Sequence, residues 1–479
     1  MLVWLLSPGD FGLVAMTTAL MNVLQMVSEF GVGVAVIQKK DMSDAYVHTA
    51  FWINFAASLL ILGVAWISAP WIARFYGADE ISLLVRVTSL GFPVTALRTI
   101  PMSLLRRRMQ FGLNSALETT WNGLSGAMMI VFALLGASYW SLVVPAMIVG
   151  LVMTPFWFAY AKWKPALSFD WAEFGELFSY SKNLVGASLL SLILSTSGFV
   201  IAGHLLGKDA AGHYNVAMTY SMVVLINFAW LIGNVSLSGF SAKQGDEPAL
   251  RAGFIRIYEL LAATMLPVHL LGIILAPMLF SAFMPEKYMA ALVPFQVLTA
   301  FSGVRALAAH LAPFYNSISK AYINFYFFLV STPISIAIMY TACRWYLDAE
   351  GVQAGLNALA WATALTQGIS ILGLFVVLKV VMAWQSIRFL RLAAPYLVAS
   401  ILGGLSSAGF MYTVASVTLG LPRRLEDGAV VCVAAALGFL VYFLVVYTIA
   451  RPKLAQIVRD AIPNRIREQY VYSWLPSLR

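Results

Sequence analysis

Two arginines stand inside apolar runs where their charge has to be explained. Arg98 lies in VTALRTIPMSLL, two turns before the basic cluster Arg106, Arg107 and Arg108, and Arg305 lies in FQVLTAFSGVRALAAHL. A guanidinium near the centre of a bilayer costs about 2.5–3.5 kcal/mol on insertion scales, so it normally faces a cavity or a partner. Each follows an Ala-Pro pair by 28 residues, Pro70 for Arg98 and Pro277 for Arg305, so the two sets match at an offset of 207. Either side chain is long enough to snorkel to the headgroups. Two planar forks facing one cleft would instead grip phosphate oxygens through paired N–H donors. The second arginine at matching depth favours the phosphate site.

Other polar side chains gather on helix faces. Thr18, Asn22, Gln25 and Glu29 are spaced 4, 3 and 4 residues apart and share one face. Asn215, Thr219, Asn227 and Asn234 mark a second helix, Ser181, Ser188, Ser191 and Ser195 a third, Asn114, Glu118, Asn122 and Ser125 a fourth, and Thr363, Thr366, Gln367 and Ser370 a fifth. Taken singly, serines and threonines on membrane helices are packing contacts more often than ligands. Taken together the stripes suggest a wet cavity, with Arg98, Arg305, Glu29, Gln25, Asn22, Asn227, Ser188 and Ser191 as its substrate-binding set. Glu29 and His204 are the candidates for a coupling proton; a local salt bridge or cap is the plainer role for Glu29, and hydrogen-bonded packing for His204, as for His269 and His310. No GxxxxGK[ST], HExxH or CxxC occurs, and Cys343 and Cys432 read as small buried residues, so neither a cofactor nor a metal is expected.

These residues need a membrane scaffold, and composition demands one: 61% of the 479 residues are hydrophobic and 11% charged. Apolar windows of about 20 residues fall at 12–37, 47–70, 82–105, 112–135, 139–161, 180–203, 213–236, 256–280, 290–312, 323–345, 354–378, 393–417 and 429–450. MLVWLL before the turn Ser7-Pro8-Gly9-Asp10 is too short to cross and reads as the tail of a fourteenth helix whose beginning is missing. The net charge of +9 is scattered between apolar blocks, which speaks for topology and against nucleic acid. Only Arg74, Lys208, Lys287, Arg344, Arg423 and Arg424 fall in outer loops, and Arg86, Arg98 and Arg305 lie within helices; the other 21 of the 30 Lys and Arg are cytoplasmic, placing the C-terminus inside. A second echo pairs LLSPGDFGLVAMT (5–17) with LLGKDAAGHYNVAMTY (205–220). Six helices separate equivalents, so the repeats are parallel, about an axis along the membrane normal. The expected fold is an all-α polytopic transporter: an N-lobe over 1–161 with its first helix incomplete, a cytoplasmic linker over 162–179, a C-lobe over 180–378, two extra helices over 379–450 and a basic cytoplasmic tail over 451–479.

LLSPGDFGLVAM, FGVGVAVIQ (30–38), AFWINFAASLLI (50–61), APWIARFYG (69–77) and PMSLLRRRMQF (101–111) resemble the polysaccharide-flippase family that includes the O-antigen and colanic-acid exporters. That family sits within the multidrug, oligosaccharidyl-lipid and polysaccharide exporter superfamily. The resemblance implies fourteen helices, two lobes of six plus a final pair, in the bacterial cytoplasmic (inner) membrane. It implies flipping of undecaprenyl-pyrophosphate-linked oligosaccharide repeat units by alternating access for lipopolysaccharide, exopolysaccharide or capsule synthesis, with a polysaccharide polymerase and a chain-length regulator as partners. A lipid II-type flippase and a cation-coupled multidrug exporter are the alternatives within the superfamily. A membrane glycosyltransferase or polymerase is the alternative outside it, and it would need a DxD pair or a large outer loop that the sequence lacks.

Overall fold

In a computed structural model the chain is described over residues 1–29, 31–39, 42–241, 245–318, 320, 322–383, 387–414 and 423–461, with some helical side chains, notably at 178–185 and 224–239, outside the description. The regular elements are helical. The first ten are α1 (Leu2–Leu5), α2 (Pro8–Glu29), α3 (Val32–Gln38), α4 (Asp44–Tyr76), α5 (Glu80–Ser89), α6 (Gly91–Arg107), α7 (Phe111–Leu134), α8 (Trp140–Ala161), α9 (Trp171–Ile201) and α10 (Gly207–Ser241). Seven follow: α11 (Glu247–Phe283), α12 (Leu292–Leu307), α13 (Leu311–Ser317), α14 (Tyr322–Glu350), α15 (Val352–Met382), α16 (Ile387–Val414) and α17 (Arg423–Ala461). Local chemistry sets their ends. The Ser43 hydroxyl accepts from the Tyr46 N–H to start α4, Asp170 and Asp246 do the same for α9 and α11, and Gly77, at φ 63°, closes α4 in the left-handed region.

Each of the thirteen apolar windows falls mainly on helix where it is described, and among the described residues eleven helical stretches are long and apolar enough to cross a membrane. The protein is a multi-pass membrane protein. The difference in count has two sources. Asn114, Glu118 and Asn122 make α7 too polar to qualify, and the windows 180–203 and 213–236 merge into one stretch, Ser188–Val223. A π-helical turn at Ala202–Leu206 joins α9 to Gly207, whose φ of 85° and ψ of 179° break the helical path before α10.

Contacts divide the chain into two compact units, Met1–Val216 with Phe325–Ala362, and Ala217–Asn324 with Thr363–Arg479. The first unit packs Val32, Val36, Phe51, Ile100 and Leu104 into one apolar cluster and Leu105, Leu117, Val149, Met153 and Trp157 into another. Its polar contacts sort by end. At one end Lys39 pairs with Glu173 at 2.7 Å, and the Arg107 guanidinium donates to the carbonyls of Val36, Ile37 and Lys39; at the other Lys208 pairs with Glu80 at 2.9 Å and the Ser138 hydroxyl donates to Asp10.

At that second end the two segments that echo each other in sequence meet. Gly12 and Gly212 each stand six residues after a Leu-Leu pair. A Cβ on Gly12 would strike the carbonyl oxygen of Lys208, and a Cβ on Gly212 would strike that of Pro8. The contact is reciprocal and made of backbone, an approach that only glycine permits.

In the second unit α11, α16 and α17 pack around Leu271, Leu275 and Ala434, α12 packs against α11, and the Ser407 hydroxyl donates to the Ala434 carbonyl at 2.6 Å. Phe254, Phe314 and the fully buried His310 form an aromatic cluster there. Cys343 is buried as expected, whereas Cys432 is exposed on α17, a spanning helix whose outer face meets lipid.

Candidate functional site

Arg98 sits in the middle of α6, half-buried, with its guanidinium carbon 4.4 Å from the Trp121 ring of α7 and 5.9 Å from the Trp157 ring of α8. Cation–π contacts are worth about 0.5–2 kcal/mol each, so the two indoles offset much of the cost of placing the charge here. Glu29 and Glu118 add longer-range attraction. Both carboxylates already have donors: Gln25 Nε2 gives to Glu29 Oε1 at 2.9 Å, while Arg106 and Asn114 give to Glu118 Oε1 at 2.9 and 3.0 Å. Arg98 makes no hydrogen bond among the described residues, and the buried indole N–H groups of Trp121 and Trp157 also lack an acceptor. The unspent guanidinium and indole donors could bind a phosphate or carboxylate, and the buried Asn114 Oδ1 is an unpaired acceptor in the same region.

Of the expected binding set, Glu29 acts on Arg98 at longer range and Gln25 is bonded to Glu29; Glu118, expected only as part of a polar stripe, also acts on Arg98, and the two tryptophans were not expected. Trp121 stands beside Asn122 on the polar helix α7 and was the one available signal. Asn22, on the face of Gln25 and Glu29, is exposed. On α9 Ser188 is exposed and Ser191 half-buried. The side chain of Asn227 lies outside the described residues.

Arg305 belongs to the second unit and differs from Arg98 in local structure. It lies in the last turn of α12, which ends at Leu307 before the turn leading to α13, whereas α6 runs on nine residues past Arg98. A cation in the last turn is favoured by the helix dipole. Arg305 has no hydrogen bond, ion pair or aromatic face among the described residues, so its donors too are unspent. The equivalence in residue count is therefore not an equivalence in setting.

His204 is remote from this chemistry. It lies at the Glu80–Lys208 end, stacked on Phe75 with centroids 4.2 Å apart and with Nδ1 2.7 Å from the Phe75 carbonyl. The polar stripe Thr363, Thr366, Gln367 and Ser370 is buried within the second unit, where Thr366 and Ser370 donate to carbonyls one turn back on their own helix. Packing explains those two hydroxyls.

The chain is 24% identical to the teichuronic acid biosynthesis protein TuaB of Bacillus subtilis over 79% of its length and 77% of the relative's. It is 26% identical to the succinoglycan biosynthesis transport protein ExoT of Rhizobium meliloti, over 58% and 54% of the two chains. It is 21% identical to the lipopolysaccharide biosynthesis protein WzxC of Escherichia coli, over 67% and 66%. Among solved structures, the lipid II flippase MurJ in an inward closed conformation superposes with a TM-score of 0.69 at 15% identity, covering 94% of each chain. An inward-facing multidrug resistance MATE family transporter of the MOP superfamily gives 0.59 at 13%, covering 81% and 92%. The fold is that of the MOP superfamily. A family model described as polysaccharide biosynthesis protein matches residues 1–293, more than half of the chain, and the protein belongs to that family.

Proposed function

We propose that the protein is a flippase that moves undecaprenyl-pyrophosphate-linked oligosaccharide repeat units from the inner to the outer leaflet of the cytoplasmic membrane by alternating access. The observation that carries this reading is Arg98, whose guanidinium carbon lies 4.4 Å from one indole ring and 5.9 Å from another, with none of its donors spent on the described residues. Arg98 and Arg305 take the diphosphate, one from each repeat, while the sugars lie along Asn22, Gln25, Glu29, Ser188, Ser191 and Asn227 and the prenyl tail stays in lipid. The N-lobe (1–161) and C-lobe (180–378) rock about the linker 162–179, with the helices of 379–450 at their side. Of the two candidates for a coupling proton, Glu29 lies in the electrostatic neighbourhood of Arg98, and a proton on His204 would act from the Glu80–Lys208 end. The delivered unit passes to a polysaccharide polymerase under a chain-length regulator. Relatives named for teichuronic acid, succinoglycan transport and lipopolysaccharide support an exporter of surface-polymer precursors.

A cationic drug would meet unpaired guanidiniums, which disfavours the multidrug alternative. Lipid II presents the same diphosphate, so substrate arms must separate it. The test is leaflet translocation in proteoliposomes of a fluorescent polyprenyl-diphosphate oligosaccharide, with lipid II and a cationic dye in parallel. Removing one charge-assisted hydrogen-bonding group costs about 1.5–3 kcal/mol, so Arg98→Gln and Arg305→Gln should each slow oligosaccharide movement by about tenfold or more. Unimpaired movement in both variants would show that the arginines snorkel, and dye efflux without glycolipid movement would reject the flippase.

A further inference from the structure

On the face of α8 turned away from Trp157 lies a cavity of about 820 Å³. Leu97 of α6 and Leu151, Pro155 and Phe158 of α8 form its wall, and Lys162, Trp163 and Lys164 its rim. The wall residues of α8 recur at the spacing of one helix face, while Val149, Met153 and Trp157 point to the other and are buried in the core of the unit. Thr154, the polar member of the wall, spends its hydroxyl on the Gly150 carbonyl at 2.7 Å. The wall therefore offers apolar contact alone.

The rim is different. Lys162 and Lys164 are exposed and have no ion pair among the described residues. The chain that carries them is held in place. The Trp52 indole donates to the Ala166 carbonyl at 2.8 Å, the Ala166 N–H donates to His48 Nδ1 at 3.1 Å, and the Asp170 N–H donates to the Thr49 hydroxyl at 2.9 Å. Trp163 is anchored by stacking on His48, with centroids 5.4 Å apart. An apolar trough ending in an aromatic and two exposed ammonium groups has the layering of one bilayer leaflet: acyl chain, interface, anionic headgroup.

We infer that this groove is a binding site for an anionic glycerophospholipid of the leaflet on the Lys162 side, its acyl chain along α8 and its phosphate on Lys162 and Lys164. Charge complementarity selects the headgroup. The face of α8 it occupies is separate from the Arg98 face, which distinguishes this lipid from the transported one.

Native mass spectrometry of the purified full chain, titrated with dioleoylphosphatidylglycerol or dioleoylphosphatidylcholine, tests the assignment. Each lysine near an anionic headgroup contributes about fivefold, so phosphatidylglycerol should be retained about 25-fold more tightly. The double variant Lys162→Gln, Lys164→Gln should lose that preference. Ala159→Trp, which fills the groove from an exposed position, should lose the phosphatidylglycerol adduct, and both variants should keep the melting temperature of the lipid-depleted wild type. Equal retention of the two phospholipids, an adduct that survives Ala159→Trp, or melting temperatures that fall in both variants would overturn the inference. So would one-for-one displacement of phosphatidylglycerol by undecaprenyl diphosphate, which would give the groove to the substrate.

Discussion

Arg98 shows how a membrane protein can keep a charge ready without neutralising it. A salt bridge would satisfy the guanidinium but occupy its donors, whereas an indole face stabilises the cation and leaves the N–H edge free. Trp121, at 4.4 Å, is the nearer face. Trp121→Leu should therefore raise the substrate concentration for half-maximal translocation by about 2- to 30-fold, the range expected from losing about 0.5–2 kcal/mol. The concentration dependence of initial rates in proteoliposomes checks this, and an unchanged value would mean that the stacking is only packing. The arginine was legible in the sequence because a charge in an apolar run is an anomaly. Its tryptophans were not, because an aromatic in such a run is equally suited to lipid, to the interface and to a cation.

Among the elements, α2 and α10 start against each other through Gly12 and Gly212, with each carbonyl filling the place of the other's missing side chain. Because backbone cannot swing away as a side chain does, Gly12→Leu should force the two helix starts apart. The proposed alternating access requires that end to open and close, so the variant should be trapped with it open. Cysteines introduced at Ser7 and Ala211 in a background lacking Cys343 and Cys432 should label faster with a membrane-impermeant maleimide, while Gly63→Leu, where a Cβ would meet nothing within 4 Å, should leave labelling unchanged. Equal labelling of the Gly12→Leu variant and its parent would show that the seam yields by local bending. The spans themselves were readable because about 20 apolar residues are required by bilayer thickness whatever the packing. The seam was not, since lipid tails and helix interiors are equally apolar and periodicity does not say which face meets a neighbour. The break of α12 after Arg305 escaped for a related reason: neither Pro nor Gly occurs between Arg305 and Leu311 to announce it.

For the molecule as a whole, the scatter of basic residues assigns sides. The bonds of the first unit group residues by end, whichever way the protein faces: Lys39 meets Glu173 and Trp52 meets the Ala166 carbonyl, while Lys208 meets Glu80. Single cysteines at Ser43 and Ala166, in the same cysteine-free background, should react with an impermeant maleimide only after the cells are permeabilised. Those at Asp79 and Ser138 should react in intact cells, and the reverse pattern would invert the topology. The reciprocal seam has one more consequence, for heredity rather than motion. Because Gly12 and Gly212 occupy corresponding places in two echoing segments, a change at either codon meets a backbone set by the other copy. At this pair, a substitution in one half of the gene is constrained by the backbone that the other half encodes.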